Sequence, residues 1–216
     1  APLAAFPPSA PACIPDYLAL PGRLGRARDP AIRVRLVAAA RSQGTPKNLP
    51  DLPSDALAAA VRRATGADHL AGEAIWTTGP PTARGDALLQ AMSAVDPLLG
   101  AWPAARLSPP GPGPHPAVVL LHGHGDTVEE ALTLRFGDAL AAAGFVVLAP
   151  SLRAYWDGAC EDVASWALLE SGLTLMGVHL AEASRAVLHL RSDPTVDPAR
   201  IYAVGHSGGG FVARLL

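Results

Sequence analysis

The feature that most constrains how this 216-residue chain can fold is a glycine-rich pentapeptide placed between two apolar patterns. The pentapeptide, at 205–209, reads Gly-His-Ser-Gly-Gly; a strand-like run at 201–204 precedes it, and apolar residues recur at helical spacing over 211–216. A serine on a sharp turn between a buried strand and a helix has strained backbone angles, so the positions two before and two after it must be nearly free of side chain. Gly205 and Gly209 meet that demand. The pattern predicts a strand, a tight turn centred on the serine and a helix.

The turn also predicts a chemical role for two of its residues. Ser207 stands at its apex, where a side chain is presented to a substrate, and is the candidate nucleophile. Gly208 follows at the predicted helix N-terminus, where its free N–H and the helix dipole favour a negatively charged oxygen. The alternative is an ordinary glycine-rich connection between a strand and a helix. The apolar runs on both sides of the turn favour the chemical interpretation.

A second motif, at 122–125, agrees with the first. The apolar run 117–121 leads into His-Gly-His-Gly, and another helical pattern follows. Gly123 and Gly125 allow the main chain to approach a substrate closely, so that the N–H of His124 can serve as a second oxyanion donor. One such donor stabilises a transition state by about 3–4 kcal/mol. His124 would act through its main chain, so its imidazole need take no part in the chemistry.

Two other interpretations of the 122–125 loop are weaker. His122, His124 and Asp126 could be taken for metal ligands, but alternate residues of an extended chain point to opposite faces, and no third strong cluster of ligands is in view. A phosphate-binding loop would need a G-K-[ST] ending or the register G-x-G-x-x-G, and the sequence has neither. The sequence therefore predicts no metal site here.

With both motifs in place, residues 117–216 resemble the α/β-hydrolase superfamily, and most of all the bacterial esterase branch related to acetyl xylan esterases and dienelactone hydrolases. The shared order is apolar strand, His-Gly-His-Gly, helix, apolar strand at 145–150, long helix headed by 172–177, strand and Gly-His-Ser-Gly-Gly. The resemblance implies an α/β fold with a mostly parallel central sheet flanked by helices.

The same resemblance implies hydrolysis of an acyl ester by Ser, Asp or Glu, and His in that chain order, with no cofactor. It carries over Ser207 as the nucleophile and the main chains of Gly208 and His124 as the oxyanion hole. It places the acid and the histidine after the Ser207 turn, which is called the nucleophile elbow, and the chain stops seven residues after Gly209. His206 cannot serve as the base, because adjacent residues on such a turn diverge. We therefore expect a hydrolase domain that is truncated after the elbow and nearly inactive as an isolated fragment.

Two regions are predicted along the chain. Residues 1–72 form an N-terminal extension with two helices, at 29–44 and 54–66, each with a capping residue at its start and a glycine at its end. These helices either cap the active site or cover one side of the sheet. Residues 73–216 form the N-terminal half of a hydrolase domain.

Within this second region the pattern gives several elements. Short runs broken by Gly and Pro over 73–107 indicate leading antiparallel strands, and the Pro- and Gly-rich stretch 108–116 is a loop. Helical spacing predicts one helix over 128–143 and a long helix around 173–188. Tyr155 and Trp156 follow a strand end, so they either form one wall of an acyl pocket or anchor their loop.

Composition limits the remaining classes. Half of the residues are hydrophobic and the formal net charge is −2, so a sizeable core is available and no basic cluster predicts nucleic-acid or anionic-membrane binding. The apolar stretches are far shorter than a membrane span. Cys13 and Cys160 could form a disulfide or remain two thiols. The Ala- and Pro-rich start of the chain favours an exported protein, with a cytoplasmic one as the alternative.

Two function classes follow from these patterns. The first is a serine esterase that acts on a small acyl ester through an acyl-enzyme on Ser207. The second is a non-catalytic binding protein of the same fold, and peptidase or lipase activity also stays open. The sequence leaves the substrate and the oligomeric state undetermined.

Overall fold

A computed structural model describes residues 54–70, 72–96, 99–155 and 158–216. The predicted helix over 29–44 lies outside the described residues. So do the predictions that concern Cys13, Trp156 and the side chain of Cys160.

The centre of the molecule is a seven-stranded mixed sheet. Its strands are β1 (Ile75–Thr78), β2 (Thr82–Arg84), β3 (Ala87–Asp96), β4 (Gly100–Ser108), β5 (His115–Leu121), β6 (Val146–Pro150) and β7 (Val196–Gly205). They lie in the order β1-β3-β4-β6-β5-β7, and β2 pairs with β3. The pairings from β1 to β4 and between β4 and β6 are antiparallel, whereas β5 is parallel to both β6 and β7. The predicted α/β fold is confirmed, but the described sheet is mixed and not mostly parallel, since parallel pairing is confined to β6, β5 and β7.

Helices cover both faces of this sheet. They are α1 (Ser54–Thr65), α2 (Val128–Thr133), α3 (Gly137–Ala142), α4 (Gly158–Glu170), α5 (Leu175–Ser192) and α6 (Gly208–Leu215), with a 3-10 turn at Ala67–Leu70. In the described part of the chain, no single helix has both the length and the apolar composition of a membrane span. Two helical stretches, Glu161–Glu170 and Leu175–Ser192, reach those limits only when taken together across a 94° bend.

Burial on both faces explains the continuous apolar run in β5. Its residues 117–121 are at most 2% exposed, because helices lie against both of its faces. Val119 and Leu121 belong to a core cluster shared with α4, α5 and α6, whereas Val118 and Leu120 belong to a second cluster shared with α2 and α3. This strand therefore places the loop that follows it between its two parallel neighbours, β6 and β7.

The single helix predicted over 128–143 is wrong: the chain forms α2 and α3 with a sharp break between them. Phe136 at the break has a φ of 77°, and its side chain is 65% exposed. Gly137 packs so closely on Leu132 that a Cβ would lie 2.5 Å from the Leu132 Cα. Apolar spacing continues through this break, so periodicity alone does not detect it.

The long helix predicted around 173–188 is confirmed as α5, and α4, which precedes it, was not predicted. Thr174 caps α5 by accepting a hydrogen bond from the Gly177 N–H at 3.0 Å. The buried face of α5 also carries charged and polar side chains, which the apolar pattern did not predict. They are His179, Glu182 and Arg185.

The last turn of α1 packs on the head of α5. The Thr65 carbonyl accepts hydrogen bonds from the Thr174 N–H at 3.1 Å and from its hydroxyl at 2.9 Å. Gly177 lies against the same carbonyl, with no room there for a Cβ. The part of the N-terminal region that the structure describes thus covers a helix on one side of the sheet. The division into regions 1–72 and 73–216 stays a prediction.

Candidate active site

Ser207 lies at a strained turn between β7 and α6. Its φ of 50° and ψ of −118° fall outside the regions that side-chain-bearing residues normally occupy. The turn is held by a hydrogen bond from the His206 N–H to the Leu121 carbonyl at 3.0 Å and by one from the Phe211 N–H to the Ser207 carbonyl at 3.2 Å. The Ser207 side chain is exposed. This is the geometry that the pentapeptide predicted.

The glycines on both sides of Ser207 are needed for packing. A Cβ on Gly205 would overlap the Gly209 carbonyl group, and one on Gly209 would overlap the carbonyl oxygens of Leu121 and His122. The elbow is therefore compact because two backbone segments touch where a side chain would stand.

The His-Gly-His-Gly loop lies directly against this elbow. A Cβ on Gly123 would stand 2.9 Å from the His206 Nδ1 and 3.0 Å from the Ser207 Cβ. The loop forms a tight turn in which the Asp126 N–H donates to the Gly123 carbonyl at 3.2 Å. Gly125 occupies the third position of that turn with a φ of 74°, a conformation that glycine adopts without strain.

Four of the five consecutive N–H groups over 123–127 are satisfied by the protein itself. Those of Gly123 and Thr127 donate to carboxylates at 3.3 and 2.7 Å, and those of Gly125 and Asp126 donate to carbonyls at 2.6 and 3.2 Å. The fifth, that of His124, has no hydrogen-bond partner among the described residues. The His124 N–H is therefore the one in this loop that is free to donate a hydrogen bond to an anionic oxygen.

The second predicted donor is the N–H of Gly208, the first residue of α6. It likewise donates to no other described residue, and the N-terminal end of the helix adds positive potential. A Cβ on Gly208 would lie 2.7 Å from ring atoms of both His124 and Tyr155. The structure thus brings the predicted residues Ser207, Gly208 and His124 into one site.

Asp126 links the loop to its surroundings. One of its carboxylate oxygens, Oδ2, lies 3.3 Å from the Gly123 nitrogen, 3.0 Å from the His206 Nδ1 and 3.3 Å from the Arg135 Nε. Burial by itself raises the pKa of the Asp126 carboxyl. Hydrogen bonds from Arg135, Gly123 and His206, with the Arg135 charge, outweigh that effect and hold the pKa below its ordinary value.

His122 has a structural role. Its Nε2 accepts a hydrogen bond from the Leu152 N–H at 2.8 Å, and its Nδ1 lies 3.0 Å from the Gly123 carbonyl, which fixes a neutral tautomer. Burial lowers the pKa of this imidazole. Both ring nitrogens are occupied and Asp126 is engaged elsewhere, so these side chains do not converge on an ion. In the described ranges no group of three or more His, Cys, Asp or Glu side chains could hold a metal ion.

The His124 imidazole points away from its own turn and packs against neighbouring side chains. Its ring stacks on Tyr155 with centroids 3.8 Å apart, and its Nε2 lies 3.1 Å from a Glu161 carboxylate oxygen. Burial, followed by the nearby Glu161 charge, raises the pKa of Tyr155 to about 12. Tyr155 therefore forms a neutral wall against Gly208 and His124, and it also anchors its own loop.

No protein-family model matches the chain. Over 114 residues the chain is 31% identical to YtaP of Bacillus subtilis, a protein provisionally named a hydrolase. That match covers 47% of this chain and 38% of YtaP.

Solved esterases share the architecture. A provisionally named acetyl xylan esterase from Bacteroides fragilis superposes with a TM-score of 0.61 over 85% of this chain and 56% of its own, at 14% identity. The chain has the α/β-hydrolase fold. An acetyl xylan esterase from Paenibacillus sp. R4 gives 0.54 over 78% of this chain and 55% of its own, at 18% identity. A glucuronoyl esterase from Solibacter usitatus gives 0.54 over 82% and 55%, at 15% identity. The chain thus spans little more than half the length of these α/β-hydrolase structures.

The sequence did not predict the buried charges that hold the loop after β6 in this hydrolase fold. Arg153 pairs with the fully buried Glu182 and donates to the carbonyls of Leu99 and Gly100 at 2.9 and 3.0 Å. His179 donates to the Arg153 carbonyl at 2.8 Å. The only available signal was the presence of charged residues on an otherwise apolar helix. These contacts fix the backbone just before Tyr155.

A general base for Ser207 is not among the described contacts. The Ser207 hydroxyl makes no hydrogen bond to a described residue, and the His206 ring bonds to Asp126. His179 is fully buried and has a pKa lowered to about 3 by burial. The expectation that the acid and the base of an α/β-hydrolase triad follow the elbow stays a prediction.

Proposed function

We propose that this chain carries the nucleophile and the oxyanion hole of a serine hydrolase that cleaves a small acyl ester. The observation that carries the proposal is the unpaired His124 N–H, left by a loop in which every neighbouring N–H is satisfied, beside an exposed serine on a strained elbow. A pair of unpaired donors beside a nucleophile suits a tetrahedral oxyanion better than a neutral ligand.

The reaction would proceed in two steps. The Ser207 oxygen attacks the ester carbonyl, its proton passes to a base and then to the leaving alcohol, and an acyl-enzyme forms. Water then attacks the acyl carbon, gives a proton to the same base and releases the acid and the serine. In both steps the N–H groups of Gly208 and His124 would stabilise the charge on the carbonyl oxygen. These two steps need no cofactor.

The similarities to known proteins support the ester as substrate. Acetyl xylan and glucuronoyl esterases share the fold. YtaP, which is similar in sequence, bears the name of a hydrolase. We propose an acyl ester carried by a carbohydrate as the substrate class. Peptidase and lipase activities would be tested on the same protein with amide and long-chain ester substrates.

The test is replacement of the nucleophile in the full-length protein. We expect Ser207→Ala to abolish labelling by a fluorophosphonate and to lower p-nitrophenyl acetate hydrolysis by a factor on the order of 10⁴ or more. Ser192→Ala is the matched control, because Ser192 is an exposed serine at the end of α5 that bonds only its own helix at His189. Unchanged hydrolysis in Ser207→Ala would contradict the proposal and favour a non-catalytic binding protein.

A further inference from the structure

We propose that Asp126 is a positioning residue that fastens the oxyanion turn, residues 123–126, to the nucleophile elbow. The inference rests on the proposed function, because it assigns a role to Asp126 in that same reaction. Asp126 would not touch the substrate. It would act through the position of the His124 N–H relative to Ser207.

The carboxylate of Asp126 joins two segments that are far apart in the sequence. The same oxygen, Oδ2, accepts from the Gly123 N–H at 3.3 Å and lies 3.0 Å from the Nδ1 of His206, which is 80 residues further along the chain. The Asp126 side chain is only 14% exposed, so water competes little for these bonds. One oxygen atom thus connects the residue before His124 with the residue before Ser207.

The main chain of Asp126 fixes the direction of the donor. Its N–H donates to the Gly123 carbonyl at 3.2 Å. That carbonyl belongs to the same planar peptide unit as the His124 N–H, and in a trans peptide the two groups point in opposite directions. Because the bond from Asp126 holds the Gly123 carbonyl, it also fixes the direction of the His124 N–H. Asp126 therefore orients the donor with its backbone and ties the donor to the elbow with its side chain.

A purely local role for Asp126 is the competing explanation. The residue precedes α2, and Arg135 holds both of its carboxylate oxygens at 3.3 Å, so Asp126 could serve only to anchor Arg135 or the start of the helix. The two explanations differ in the partner through which Asp126 acts. In the first that partner is His206, and in the second it is Arg135.

Double-mutant cycles in the full-length protein separate these roles. We expect Asp126→Ala to lower kcat for p-nitrophenyl acetate by about tenfold to a hundredfold, with KM changed by no more than about twofold, because only the transition state uses the misplaced donor. His206→Ala should lower kcat similarly, and the double variant should be no worse than about the stronger single variant. Arg135→Ala should by itself lower kcat by no more than about twofold if Asp126 acts through His206 and not through Arg135.

The matched control is Asp138→Ala. Asp138 pairs with Arg84 at 2.7 Å, as Asp126 pairs with Arg135, but it lies on α3 and does not contact the elbow, so kcat should stay within about twofold. If Asp126→Ala does not fold, Asp126→Leu, which has a similar shape and no acceptor oxygen, gives the deciding measurement. An unchanged kcat in the folded Asp126 variant would overturn the inference. So would coupling to Arg135 without coupling to His206. Either result would leave the Ser207 proposal intact, whereas unchanged hydrolysis in Ser207→Ala would remove both.

Discussion

The position of His124 in its turn allows its main chain and its side chain to be tested separately. It is the second residue of a four-residue turn whose third residue, Gly125, has a positive φ. Proline is well tolerated at the second position of such a turn, and it has no N–H. Substitution by proline therefore removes the proposed donor while the turn can keep its shape.

We expect His124→Pro to lower kcat by about 10²–10³-fold, since one oxyanion donor is lost. His124→Ala is the paired variant: it removes the same imidazole, with its contacts to Tyr155 and Glu161, but keeps the N–H. Steady-state kinetics of both variants with p-nitrophenyl acetate give the comparison. Equal losses in the two variants would show that the side chain, and not the N–H, is used.

The sequence predicts residues well where the reason for their identity is local. Ser207 and its flanking glycines follow from the sterics of one turn, and His124 follows from one short loop. Asp126 was seen only as a possible metal ligand, because its partners are Arg135 and His206 and nothing in the spacing of the sequence indicates that they meet. The unpaired state of the His124 N–H could likewise be found only after its neighbours' hydrogen bonds were known.

At the scale of elements, Thr174 joins two helices. Its hydroxyl accepts from the Gly177 N–H at 3.0 Å, which caps α5, and donates to the Thr65 carbonyl at the end of α1 at 2.9 Å. A capping side chain contributes about 0.5–2 kcal/mol. Removing the hydroxyl also leaves the Thr65 carbonyl with one hydrogen-bond donor fewer.

We expect Thr174→Val to lower the free energy of unfolding by about 1–3 kcal/mol, since it removes both hydrogen bonds while keeping the volume. Urea unfolding would measure the change. Thr133→Val is the control, because the Thr133 hydroxyl only bonds back to Glu129 within α2 and is exposed. An equal loss in the two variants would indicate that the joint between α1 and α5 contributes nothing.

The elements themselves were predicted unevenly, for physical reasons. The run at 117–121 was found because a strand buried on both faces is continuously apolar. The strand before the elbow was found from its apolar residues at 201–204, although most of β7 is half-buried or exposed. The break between α2 and α3 was not found, because it depends on the close packing of Gly137 on Leu132 and not on the apolar period. The cap at Thr174 is visible in the sequence, but its second partner at Thr65 is 109 residues away.

At the scale of the whole molecule, buried ionisable groups connect the sheet to the site. The polar face of α5 holds the loop after β6 through Glu182 and Arg153, and His179 lies in the same layer against Tyr155, with ring centroids 4.3 Å apart. A sequence pattern predicts such a helix as apolar support, since it records which residues are hydrophobic and not which charges pair. The α/β-hydrolase fold was therefore predictable from motif order, but the polar layer beneath the site was not.

This polar layer makes stability depend on pH through His179. Burial lowers the pKa of His179 from its ordinary value of 6.5 to about 3, so below pH 6.5 the unfolded chain binds a proton that the folded chain does not. The free energy of unfolding should therefore fall as the pH drops below 6.5, by up to about 1.4 kcal/mol per pH unit for this group, and this group should have no effect above pH 7. The lowered pKa of His122 acts in the same direction, whereas the raised pKa of Glu182 acts in the opposite direction at pH values above its ordinary 4.5.

The contribution of His179 is isolated by His179→Gln, which can still donate to the Arg153 carbonyl but does not titrate. Urea unfolding of the two proteins at pH 8, 7, 6 and 5 gives the measurement. We expect a constant difference in the free energy of unfolding between pH 8 and 7, and a difference that shifts in favour of the glutamine variant below pH 6.5. Parallel curves throughout would mean that His179 binds its proton equally in the folded and unfolded states, and a shift in the opposite direction would mean that the folded state binds it more tightly. Either result would contradict a pKa lowered by burial.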